Sequence, residues 1–199
     1  VQLDAAGGKL AITALKCAAT KHDWLSGKAC PVPLIEFAEV DGKAVPLRWQ
    51  YTNAVVNQDL RKHHMFVFVN EDPPLELLSR WTTAAGPGPV EHAIVITNTG
   101  AAPVLLPLQK TLVLKMPVPA GHALEHWWVE KGSNTPTAAG THRAAITPEF
   151  SASLVSHPYD REKPRDPIPW SSLQDVEGKQ GFYVGVESSA LVRIALRAA

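Results

Sequence analysis

The sequence predicts an all-β fold, a large antiparallel β-sandwich of about a dozen strands in a single domain spanning residues 1–199. Three observations predict it. Seventeen prolines and thirteen glycines cut the 199 residues into short pieces, and long amphipathic helical repeats are missing almost everywhere. The pieces between the breaks are rich in Val, Ile, Phe, Trp and Thr, whose branched or flat side chains suit a pleated surface. Strands do not alternate with helical patterns, which disfavours a parallel α/β sheet. With this many strands the sheet must close or stack, and two packed layers bury alternate side chains of both.

In order, strands are expected at residues 9–15, 34–40, 47–53, 65–70, 75–82, 90–98, 104–108, 111–116, 124–130, 151–156, 181–187 and 190–197. Several alternate apolar with polar, as in Glu91-His-Ala-Ile-Val-Ile-Thr-Asn98, the pattern of a strand with one face buried. Asp41-Gly42, Gly86-Pro87-Gly88-Pro89 and Asn98-Thr99-Gly100 supply residues that tolerate positive φ or fix a turn, so neighbouring strands can fold back as hairpins. Between Gly132 and Pro169 the pattern weakens into a stretch with six prolines and the charged run His157-Pro-Tyr-Asp-Arg-Glu-Lys-Pro-Arg-Asp166. It reads as a long loop, either a solvated surface or a cover over a site or partner. The segment Ile168-Pro-Trp-Ser-Ser-Leu-Gln-Asp175 reads as a loop carrying Trp170, followed by a hairpin of the last two strands with Tyr183 on one face and Phe182, Val184 and Val186 on the other.

The most informative stretch is Leu124-Glu-His-Trp-Trp-Val-Glu-Lys-Gly132. Successive side chains of a strand point to opposite faces, so Trp127 and Trp128 cannot enter the same core. An outward Trp128, sharing its face with His126 and Glu130, is the equipment of a sugar-stacking surface: the indole takes the C–H face of a pyranose and the polar groups take hydroxyls. The alternative is a second Trp covered by a neighbouring loop. Trp127, Trp170 and Trp81 are further candidate platforms, with Tyr183 as another polar partner.

Charge excludes other functions. Nineteen basic and nineteen acidic residues cancel, and no basic patch is visible, so neither nucleic acid nor an anionic membrane surface is an expected partner. No stretch has the roughly 18 uninterrupted apolar residues of a membrane span. The chain begins Val-Gln-Leu-Asp without a leader pattern, so any signal peptide lies outside it. Cys17 and Cys30 are the two cysteines, and both a single bridge and two separate thiols are open. The bridge is favoured because Lys16, Lys28 and Pro31 place them in exposed-looking segments, and with it a secreted or periplasmic location over a cytoplasmic one.

Catalytic signatures are largely missing: G-x-S-x-G, G-x-x-x-x-G-K-[ST], H-E-x-x-H, C-x-x-C and G-x-G-x-x-G are all absent. The adjacent His63 and His64 would face apart on a strand, and His122 and His126 would lie about 13 Å apart, too far for one metal. No Asp-rich loop demands calcium, so no cofactor is expected. Glu125, Glu130, Asp160, Asp166, Asp175, Glu177 and Glu187 are available carboxylates, but nothing in the sequence pairs two of them across a scissile bond.

Taken together, Leu47-Arg-Trp49, Leu77-Leu-Ser-Arg-Trp-Thr-Thr83, Gly88-Pro-Val-Glu-His-Ala-Ile-Val-Ile-Thr-Asn98, Pro103-Val-Leu-Leu106, Trp127-Trp-Val-Glu-Lys131 and Gly181-Phe-Tyr-Val-Gly-Val-Glu-Ser-Ser189 resemble the amino-terminal β-supersandwich domain of α-galactosidase-like glycoside hydrolases, the melibiase group. The resemblance runs from about residue 35 onward. It implies a supersandwich that packs on a (β/α)₈ barrel holding the two catalytic aspartates. No barrel follows before Ala199, so the resemblance carries over no catalytic residue. The expected function is a non-catalytic domain that binds glycan, a galactoside or plant polysaccharide, or supports a catalytic glycosidase domain. Two alternatives stand beside it: an interaction module without sugar affinity, and a small mutarotase-like or lyase-like enzyme in which His126 and Glu130, or His92 and a partner, do acid–base work.

Overall fold

A computed structural model describes residues 1–17, 19–57, 61–84, 86, 88–118, 120–131, 140–158, 166–188 and 191–198. Its fifteen strands lie in antiparallel sheets, with no α-helix among the described residues and no sheet closed on itself. The fold is all-β and β-sandwich-like, as the short alternating pieces predict. By their contacts the residues divide into two compact units, Val1–Pro117 and Val118–Ala199.

The first unit opens with β1 (Gln2–Asp4), β2 (Ala11–Ala14) and β3 (Cys30–Pro31), a three-stranded sheet in that order. β4 (Phe37–Val40) and β5 (Lys43–Pro46) form a hairpin, whose turn is Asp41-Gly42 with φ of 51° and 72°. Two successive positive φ values make the loop whose twist matches the flanking strands, which explains why a Gly stands second in it. β6 (Gln50–Asn57), β7 (Lys62–Asn70), β8 (Leu75–Thr83) and β9 (Val90–Asn98) form a meander. Its register stacks Phe68 on Leu77 and Ile96, and His64 on Trp81 and His92, along one face. That face closes the core: Phe66, Phe68, Leu77 and Trp81 pack with Leu10, Ile12, Leu25, Cys30, Val32 and Ile35. Trp81 is 5% exposed, so it is a core residue and not a surface platform.

Residues 104–108 and 111–116, expected as strands, form none. Leu105 alone bridges to Glu39, and Pro103 and Pro107 lack the N–H groups a ladder needs. The alternation of Leu112, Leu114 and Met116 nevertheless has a structural meaning, because all three pack against the core. The expected Cys17–Cys30 bridge is also absent; both cysteines are free. Cys30 is buried in β3, where its Sγ accepts the Lys115 N–H at 3.2 Å, while Cys17 sits on a turn closed by the Lys21 N–H to its own carbonyl at 2.9 Å. Without the bridge, the cysteines lend no support to an exported location.

The second unit contains β10 (Leu124–Val129), β11 (Thr141–Ala145), β12 (Ser151–Ser156), β13 (Trp170–Asp175), β14 (Gln180–Gly185) and β15 (Val192–Arg197). Four of them form a sheet in the order β11-β10-β13-β14, while β12 pairs with β15. This corrects the expected terminal hairpin. β14 turns back on β13 through residues 176–179, and β15 goes to β12 instead. Trp170 therefore stands on a strand, and the stretch expected as a long loop contains β11 besides the expected strand at 151–156, which is β12. Residues 132–139 and most of the charged run, 159–165 with Asp160, lie outside the described residues, as does Pro87 of the expected Gly-Pro turn.

Candidate functional site: the outer face of the β10 sheet

Alternation along β10 gives its sheet two different faces. Leu124, His126 and Trp128 point to one, Glu125, Trp127 and Val129 to the other. The first is the inner face, shared with Ser171 and Asp175 of β13, both buried. His126 is 0% exposed; its Nε2 lies 3.0 Å from Ser171 Oγ and its ring packs edge-to-face with Phe150, 5.8 Å between ring centres. Trp128 is sandwiched between two imidazoles, 4.9 Å from His126 and 5.1 Å from His142, both nearly parallel to it. His142 Nε2 in turn lies 2.9 Å from Glu130 Oε1. Burial lowers the pKa of His126, so the imidazole stays neutral.

The expected sugar surface of Trp128, His126 and Glu130 is thus reversed in sense: that face carries the packing. His126 faces Ser171 and Glu130 faces His142, with Trp128 standing between, so the two do not converge as an acid–base pair. His92 is likewise committed, stacked on Trp81 at 4.1 Å and hydrogen-bonded to Ser79 Oγ at 3.1 Å.

The outer face collects the remaining expected residues. Register places Arg143, Trp127, Ser172 and Tyr183 in one row across the four strands. Trp170 stands one step along β13 on the same face, opposite Gly185. A Cβ added to Gly185 would come within 3.6 Å of Trp170 Cδ1, so the indole lies against bare backbone. Tyr183 is 54% exposed and stands between Gly181 and Gly185, neither of which raises a side chain beside it. Trp127 donates its Nε1–H to Glu125 Oε2 at 3.2 Å, and Arg143 Cζ lies 5.6 Å from its ring centre. Arg143 Nη1 and Glu125 Oε1 are 3.9 Å apart. The face is an aromatic floor set among small residues, with a donor fork and an acceptor beside one ring.

Its signal in the sequence is the run Gly181-Phe-Tyr-Val-Gly185, in which every outward position but one is glycine. Arg143, on a strand hidden in a Pro-rich stretch, had no such signal.

A second cluster lies at one end of the same sheet. His122 Nδ1 is 2.8 and 2.9 Å from the two Asp175 oxygens, and with Glu177 these donor atoms fall within 4.8 Å of one another. The donors suit a borderline divalent ion. They are also engaged as they stand: Gly178 N–H binds Asp175 Oδ1 at 2.9 Å and Ala123 N–H binds Glu177 Oε2 at 2.6 Å, which ties the β13–β14 turn to the start of β10. In the first unit, Glu39, Asp41, Gly42, Pro103, Val104 and Leu105 line a shallow groove beside the β4–β5 hairpin.

Fold and site together define an all-β chain with an aromatic outer sheet face, on which Tyr183 is exposed and Trp127 and Trp170 are half-buried. No family model matches it, and neither a curated protein nor a solved structure proves similar. Nothing in these comparisons links the chain to α-galactosidase-like amino-terminal domains.

Proposed function

We propose that the chain is a non-catalytic carbohydrate-binding or accessory domain of a carbohydrate-active protein, of α-galactosidase-like kind, that takes glycan on the outer face of the β10 sheet. One observation carries the reading: Trp127, Trp170 and Tyr183 share an outward face whose other positions on β14 are glycines. The rings of Trp170 and Tyr183, set beside glycine backbone, admit the C–H face of a pyranose, and Trp127, with the Arg143 guanidinium over its ring and Glu125 at its indole N–H, brings donors and an acceptor for the hydroxyls. Each hydrogen bond adds a net of about 0.5–1.5 kcal/mol against the ligand's lost freedom, so millimolar to micromolar affinities follow. Titration with galactosides, glucans, xylans and mannans tests this. Saturable binding that Tyr183→Ala weakens without changing the circular dichroism spectrum supports it, and no binding to any of them refutes it.

A second reading, an interaction module that packs on a separate catalytic domain, draws on the first unit. Leu105, Leu106 and Leu108 are exposed together, Leu105 by 61%, beside the exposed Phe37. An apolar ledge of this kind suits a protein interface. Concentration-dependent association of the isolated chain favours this reading, and a strictly monomeric chain opposes it.

A further inference from the structure

The rings of the outer face are ordered by the sheet. Trp127 and Tyr183 occupy the same register row on strands two apart, with Ser172 between them. At about 4.8 Å per strand, their Cα positions are separated by roughly 9.6 Å across the sheet. A single pyranose cannot cover both. Along the strands the geometry offers less: the outward neighbours of Trp127 on β10 are Glu125 and Val129, and those of Tyr183 on β14 are glycines. A ligand that uses both rings therefore runs across the strands and passes over the Ser172 hydroxyl. Trp170, one step off the row and lying by Gly185, adds apolar surface at the Tyr183 end.

Charge narrows the ligand further. Arg143 is exposed with its guanidinium over the Trp127 ring, and Glu125, which accepts the Trp127 indole N–H, stands on the same face 3.9 Å from it, so this subsite presents donors and an acceptor together. A uronate carboxylate arriving at Arg143 meets the Glu125 charge as well. Hydroxyl pairs suit the site better, because a hydroxyl donates to the carboxylate and accepts from the guanidinium at no charge cost.

We infer that the outer face of the β10 sheet selects a neutral oligosaccharide of at least two sugar rings lying across the strands, with Trp127 and Tyr183 as separate subsites; this rests on the glycan-binding reading above. Calorimetric titration of the full chain tests it, with mono- to tetrasaccharides from neutral glycan series and with oligogalacturonate. Affinity is expected to rise about tenfold or more from mono- to trisaccharide and then level off, and Trp127→Ala and Tyr183→Ala each to cost the trisaccharide about tenfold. Oligogalacturonate is expected to bind about tenfold more weakly than a neutral oligomer of equal length, a gap that Glu125→Gln narrows. A monosaccharide that binds as tightly as the trisaccharide, or a preference for the uronate, overturns the inference while leaving glycan binding intact. Binding to no glycan removes the underlying reading together with it.

Discussion

His92 shows how one buried side chain sets a pH dependence. Burial holds its pKa down to about 4, against 6.5 in the open. Ser79 Oγ accepts the Trp81 indole N–H at 3.1 Å and shares a hydrogen bond of 3.1 Å with His92 Nε2, so the imidazole is held in the core beside the indole. Between pH 6.5 and about 4 the unfolded chain binds a proton that the folded chain refuses, so stability is full at neutral pH and falls as pH drops through that window. The loss is of the order of 3 kcal/mol at most. Urea midpoints measured from pH 7.5 to 4 should fall steadily, and His92→Gln should flatten the curve. The two thiols differ as sharply. Hydrogen bonds from Thr20 hold the pKa of half-buried Cys17 down, whereas Cys30 is buried. A disulfide-exchange reagent should react with one thiol in the native protein and with two after denaturation; a count of none in the unfolded, unreduced chain would show a bridge.

At the scale of the strand, the two tryptophans of β10 should behave oppositely. Trp128→Ala removes the indole between His126 and His142 and should cost about 3 kcal/mol, the low end for a large aromatic because it is half-buried. Trp127→Ala, also half-buried, loses one cation–π contact and the hydrogen bond to Glu125 and should cost less, about 1–2 kcal/mol. Chemical denaturation of both variants checks the order, and equal losses would mean that the faces are not distinct. The β13–β14 turn gives a third test. A Cβ on Gly178 would fall 2.3 Å from Asp175 Oδ2, so the carboxylate that holds His122 must turn away. Gly178→Ala should cost about 1–3 kcal/mol, most of it from a buried carboxylate left with fewer donors. Thermal melting reads that loss directly.

At the scale of the molecule, a formal charge of zero at pH 7 removes the repulsion that keeps proteins apart, and the Leu105 to Leu108 ledge offers an apolar contact. Light scattering should show association near neutral pH that weakens at pH 9, and Leu105→Lys should reduce it without loss of stability. Much of this molecule was legible beforehand. Strand-forming composition and alternation gave β8 and β9 nearly residue for residue and the last six of β7's nine residues, and Asp41-Gly42 gave its hairpin. Short strands such as β3 and the polar β13 were not, because two residues, or Trp-Ser-Ser-Leu-Gln-Asp, carry too little apolar pattern to stand out from a loop.

The sequence by itself determined that the chain is all-β and that Trp127 and Trp128 must part to opposite faces, since both follow from local stereochemistry and turn residues. Only the tertiary structure decided which indole faces outward. That choice depends on what packs at each face, and the groups that meet His126 and Trp128 there, His142, Ser171 and Phe150, come from segments distant from β10 in the chain. The same holds for the row from Arg143 to Tyr183, because strand order is set by pairing between distant segments and leaves no periodic trace in any one of them.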